Sequence, residues 1–252
     1  MPEMTSYEHG VPSWIDMGSP DLEEALSFYS ELFGWEGQDT GEEMGHYTIV
    51  SKDGKQVAAI SPAQDPGPPR WTTYIDVDDI DAVVAKVAPA GGEVLMGPMD
   101  VMNAGRMAVL KDATGAYISA WQPGDHIGAQ LVNEAGSFVW SELTTSDLAK
   151  SKAFYSDVFG WGWGGADEYA EAQVGGRTVG GAMPRRADMP AEIPDNWLVY
   201  FGTGDVEADT KKAAGLGATV VVAPMDIPGT GRFSVLLDPQ GAAFALFQPE
   251  AG

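Results

Sequence analysis

The chain repeats itself. The segment DLEEALSFYSELFGW at residues 21–35 returns as DLAKSKAFYSDVFGW at residues 147–161, and the same offset of 126 residues carries Trp14 onto Trp140, Trp71 onto Trp197 and Tyr74 onto Tyr200. It also carries Pro98-Met99-Asp100 onto Pro224-Met225-Asp226, Gly105-Arg106 onto Gly231-Arg232, and Asp112, Gly115, Gln122 and Pro123 onto Asp238, Gly241, Gln248 and Pro249. Matches at one spacing over about a hundred residues mark a tandem duplication. The reading is a first domain over 1–125, with modules at about 10–62 and 70–123, a linker over 126–136, and a second domain over 137–252, with modules at about 137–185 and 196–249.

Each half contains a fainter repeat of its own. In the first, SWIDMGS starts a strand, Ser19 is read as the helix N-cap with Pro20 in the first turn, and Leu22, Ala25, Leu26, Tyr29, Leu32 and Phe33 recur at helical spacing up to Gly34. Two short strands follow, around His46–Val50 and Gln56–Ile60. A second strand, TTYIDVDD, leads into a helix through Ile80, Val83, Val84 and Val87, and two more strands, Arg106–Leu110 and Ala116–Trp121, complete the half. Gly160–Gly165 is glycine-rich but follows a helix, so it reads as a loop. The segments Pro66–Pro69 and Arg185–Pro194 read as longer loops rimming the clefts.

Strand parity separates two faces. Ile15, Met17, Ile75, Val77, Val139, Leu143, Val199 and Phe201 suit a helix-covered core. The opposite face is aromatic and sparsely polar, where an exposed sheet would carry Lys, Glu and Thr. That composition suits a cup for a small molecule. The candidate ligand-binding residues are Trp14, Asp16, His46, Thr72, Tyr74, Tyr117, Ser119, Trp121, Trp140, Glu142, Tyr200 and Phe247. A carboxylate on an apolar face needs a partner, and Tyr74 and Tyr200 stand near enough to serve Asp16 and Glu142. These two acids are also the candidate catalytic groups. His9 and His126 read as solvated positions.

The net charge is −23, with 20 acids against 6 bases up to residue 123 and 17 against 8 beyond it. Both halves would repel a phosphate backbone, so nucleic acid is not an expected partner; the charge favours cationic small molecules, and it reads first as a solubilising surface. No cysteine is present, which excludes disulfides and thiolate chemistry. No apolar run has the length of a membrane span, and residues 1–10 carry neither a basic start nor an apolar stretch, so the expectation is a cytoplasmic protein with no membrane partner. Neither the Walker and dinucleotide fingerprints nor G-x-S-x-G occurs.

The opening D-L-x-x-A-x-x-F-Y-x-x-L-F-G-W with a late D-x-x-G-A resembles the vicinal-oxygen-chelate superfamily, which includes glyoxalase I, extradiol dioxygenases and bleomycin resistance proteins, and within it the tandem actinobacterial glyoxalase-like type. The resemblance implies an α+β fold of two tandem domains, each of two βαβββ modules whose sheet curls around a cleft, in a fused pseudo-dimer that is a monomer or pairs as a homodimer. It also implies where a metal would be held: on Trp14, Thr72, Trp140 and Leu198, and at the last strand on Ser119 and Ala245. None is a good ligand for a divalent ion, so no metal and no cofactor are expected. Four readings stay open: a metal-free binder of an aromatic or cationic metabolite or antibiotic; a metal-free isomerase, cyclase or lyase using Asp16 or Glu142 as general base; a metalloenzyme with displaced ligands; and a scaffold whose cups are filled and take no ligand.

Overall fold

A computed structural model describes residues 3–64, 67–166, 168–187, 189 and 193–250. The loops Pro66–Pro69 and Arg185–Pro194 lie partly outside the described residues. The first half runs β1 (Pro12–Ser19), α1 (Leu22–Phe33), β2 (Glu36–Asp39), β3 (Thr48–Lys52), β4 (Lys55–Pro62), β5 (Arg70–Asp76), α2 (Ile80–Val87), β6 (Glu93–Val101), β7 (Gly105–Lys111) and β8 (Tyr117–Pro123). The second half repeats it as β9 (Phe138–Thr145), α3 (Leu148–Phe159), β10 (Gly162–Ala166), β11 (Tyr169–Val174), β12 (Arg177–Pro184), β13 (Asn196–Gly202), α4 (Val206–Gly215), β14 (Thr219–Ile227), β15 (Gly231–Leu237) and β16 (Ala243–Pro249).

Each half forms one eight-stranded sheet, in the order β2-β3-β4-β1-β5-β8-β7-β6 and β10-β11-β12-β9-β13-β16-β15-β14. The strand that opens each module lies at the centre and the strand after each helix lies at an edge. The residue pattern had shown two strands after each helix, and the structure has three. The extra ones, β2, β6, β10 and β14, are edge strands lying mostly towards solvent, so the alternation that betrays a half-buried strand is weak in them. The glycine run Gly160–Gly165, read as a loop, is largely β10.

All four helices are capped the same way, and not by Ser19. Asp21, Asp79, Asp147 and Asp205 each precede a helix in extended backbone and accept from the amide three residues on, a contribution of about 1 kcal/mol apiece. Ser19 instead holds its hydroxyl at hydrogen-bond distance from the Asp21 carbonyl and from Gln240 of the other half. Gly34 and Gly160 close α1 and α3 in the left-handed conformation at φ 73° and 75°, which explains why F-G-W recurs.

The helices lie between the two sheets. The buried face of α1 packs with Phe201, Phe244 and Leu246 of the second half, and that of α3 packs with Ile75, Leu110 and Ile118 of the first. Tyr29 of α1 donates to Asp238 at 3.1 Å and receives Trp71 Nε1 at 2.9 Å. The copy is faithful: Tyr155 donates to Asp112 at 3.0 Å and receives Trp197 Nε1 at 2.7 Å. Trp35 and Trp161 likewise donate across the seam, to the carbonyls of Gly136 and Gly10. The motif residues that carry the resemblance therefore hold the two halves together, which leaves the other face of each sheet turned outward.

Candidate functional site

On the outer face of the first sheet, register brings Trp14 beside Tyr74, Asp16 beside Thr72, and Tyr74 beside Ser119. The Asp16 carboxylate accepts from Tyr74 at 2.8 Å and from Tyr47 at 3.2 Å, and Tyr47 in turn accepts from Trp14 Nε1 at 2.9 Å. Burial pushes the Asp16 carboxyl up to about 6 against the pull of the two phenols and of Arg70. The same burial, with Asp16 beside them, holds both phenols well above their ordinary values. Ser119 is fully buried beside Tyr74 and pulls that phenol down against its burial.

The second sheet carries the same constellation. Trp140 lies beside Tyr200 and Glu142 beside Leu198. Tyr200 donates to Glu142 at 2.9 Å, Trp140 Nε1 donates to Tyr169 at 3.1 Å, and Tyr169 also bonds the Glu142 carboxylate. Burial raises the Glu142 carboxyl above its usual range. A Cβ at Gly181 would overlap the Tyr169 hydroxyl, so this position must be glycine for the phenol to cross β12.

Tyr47 and Tyr169 were missed in the sequence because they do not stand 126 residues apart. Thr48 pairs with Ile60 and Ala170 with Ala182, while Ile60 and Ala182 flank Met17 and Leu143. The register thus makes Tyr47 and Tyr169 counterparts at a local offset of 122, the first half being longer before β3 and shorter after β4.

Beyond this core the cups differ. Tyr117 and Trp121 share the first cup's face, and Arg70 stacks on the Tyr117 ring at 4.0 Å with Lys111 at 5.0 Å. Phe247 replaces Trp121, and Phe233, on β15, lies beside both Phe247 and Tyr200. His46 is not brought into the cup: it sits exposed at positive φ and bonds Asp39 at 2.9 Å, which raises the imidazole. His126 is not the solvated position its place in a linker suggested. Its ring packs edge-on to Trp14 at 4.5 Å and to Trp121 at 5.6 Å, and burial lowers it to about 4. Arg106 and Arg232 bind acids on their own surfaces, Asp81 and Asp100, and Glu207 and Asp226.

A divalent ion in either cup would meet Trp14, Thr72 and Ser119, or Trp140, Leu198 and Ala245, with one carboxylate already held by two phenols. These side chains do not fit a metal centre, and among the described residues no three of His, Cys, Asp and Glu gather in one place. No helix of the described residues is long and apolar enough to cross a membrane.

The family model described as Glyoxalase/Bleomycin resistance protein/Dioxygenase superfamily matches residues 12–119 and 135–246. The putative glyoxylase CFP32 of Mycobacterium tuberculosis is 42% identical over 99% of this chain and 98% of its own length. The anthracycline biosynthesis protein DnrV of Streptomyces peucetius is 36% identical over 99% and 97%. Among solved structures, the Mn(II)-bound glyoxalase from Novosphingobium aromaticivorans superposes with a TM-score of 0.67 at 14% identity, covering 96% of this chain and 83% of that one, a likeness of fold. With both repeats matched and the length shared, the chain belongs to the glyoxalase/bleomycin resistance protein/dioxygenase superfamily.

Proposed function

We propose that this protein is a metal-free binder of a planar aromatic small molecule, held by ring stacking against the aromatic side chains that the outer sheet faces leave accessible. The observation that carries the reading is the pair Trp14 and Trp140: each stands where the superfamily resemblance puts a metal ligand, and each bonds a tyrosine that partners the local acid. The chemistry at that position is stacking and hydrogen bonding, which needs no catalytic group. The relatives named for anthracycline biosynthesis support a polycyclic ligand. Titrating tryptophan emission with a panel of planar natural products, an anthracycline among them, tests this. Saturable quenching that weakens in Trp140→Phe is expected; a panel with no quencher sinks it.

One observation favours a second reading. The Asp16 carboxyl, pushed up to about 6 by burial, is tuned for a general base near neutral pH, so the alternative is a metal-free isomerase or lyase. Asp16→Asn separates the two: an enzyme loses turnover by orders of magnitude, and a binder keeps affinity within about tenfold.

A further inference from the structure

The two cups share an acid and two phenols but differ in who fills them. In the first, the segment after β8 turns back over the sheet: Trp121 Nε1 donates to the His126 carbonyl at 2.9 Å, and the His126 amide bonds Ala104. The imidazole thereby stands between Trp14 and Trp121, which are left only 3% and 6% exposed. Gly105 is where the chain lets Trp121 lie down: a Cβ there would come within 2.6 Å of the indole. In the second cup the equivalent rings, Trp140 and Phe247, stay partly exposed, as does Phe233 between β14 and β16. Large rings that a protein leaves accessible side by side on a sheet face call for a ligand.

The charges diverge in the same sense. At the first cup the acid answers to a base, since Arg70 acts on Asp16 and stacks with Lys111 on Tyr117. Register puts Asn196, Leu237 and Ala243 at the places of Arg70, Lys111 and Tyr117. The row Ile49–Ala59–Asp16 across three strands of the first sheet becomes Glu171–Gly181–Glu142 in the second. Registered neighbours share a face, so Glu171 joins Glu142 on the outer side of the sheet, with glycine between them and with Thr178 bonding Glu171.

We infer that the second cup is the ligand site and takes a planar aromatic cation, stacked on Trp140 and Phe247 with its charge towards Glu142 and Glu171, while His126 is a built-in stopper that closes the first cup. This rests on the binding reading above for its ligand, but the stopper stands on packing alone. Cation–π attraction and a pair of carboxylates select the same charge.

The experiment uses full-length protein labelled with 5-fluorotryptophan, its fluorine resonances assigned by single Trp→Phe variants. With the soluble spin label TEMPOL, the Trp140 resonance should broaden at least fivefold more than those of Trp14 and Trp121. His126→Gly should bring these two within twofold of Trp140. Equal broadening of all three in the parent protein overturns the stopper; the Trp→Phe variants serve only to assign its resonances. Ethidium, a planar cation, should shift Trp140 with one equivalent bound per chain and bind at least tenfold more tightly than the planar anion 1-anilinonaphthalene-8-sulfonate, and Glu142→Gln should lose at least tenfold in ethidium affinity. If the anion or an uncharged planar compound binds better, or two equivalents of ethidium bind, the ligand inference fails and the binding reading survives. If no planar compound of any charge binds, the binding reading fails with it.

Discussion

The hydroxyl of Tyr29 donates to the carboxylate of Asp238, a residue of the opposite half, while accepting from Trp71. Three polar groups are satisfied in the dry seam between the sheets. Tyr29→Phe leaves the indole and the carboxylate without their shared partner, so it should cost about 1–3 kcal/mol, read as a lowered urea midpoint. Tyr155→Phe, its copy through Asp112 and Trp197, should cost a similar amount. An unchanged midpoint in both would show that these bonds do not bind the halves.

His126 should make the fold sensitive to acid. Its folded value, about 4, lies below the ordinary 6.5, so its contribution to stability is present above pH 6.5 and disappears as pH falls towards 4. The magnitude is on the order of 3 kcal/mol. Urea melts of His126→Phe between pH 4 and 7 should show this slope flattened.

Asp16 should act in the opposite direction. Its carboxyl is pushed up to about 6 from 3.8, so its contribution is present below pH 3.8 and is lost as pH rises through 6. Asp16→Asn should therefore gain on the parent protein between pH 4 and 7, by about 2 kcal/mol. Melts at the two ends of that range measure it.

Gly181→Ala places a methyl against the Tyr169 hydroxyl. The phenol has to leave Trp140 and Glu142, and overpacking of this kind costs about 1–3 kcal/mol. Planar-ligand affinity should fall by about tenfold or more in the quenching titration, with Tyr169→Phe showing the milder loss of a single hydrogen bond.

Strand parity was legible where a polar residue breaks an apolar run: Ile15 and Met17 are fully buried while Asp16 between them bonds two phenols. The helices were legible through Asp21, Tyr29 and Gly34, although the cap fell on Asp21 rather than Ser19, since both residues are good caps and only backbone geometry chooses. The edge strands were hidden because solvent imposes no pattern on them. Tyr47 and Tyr169 were hidden by compensating length changes on either side of β3–β4 and β11–β12, which shift the repeat by four residues where it matters most. His126 was hidden because nothing local to a turn announces the two indoles, Trp14 and Trp121, that it will meet.

The helical layer is sealed by residues from both copies, so neither copy can discard its partner, and substitutions along that layer must be answered by the opposite copy. The outward faces carry no such mutual obligation. A lineage carrying this duplicated scaffold was free to reshape either outward face, with the architecture between them undisturbed.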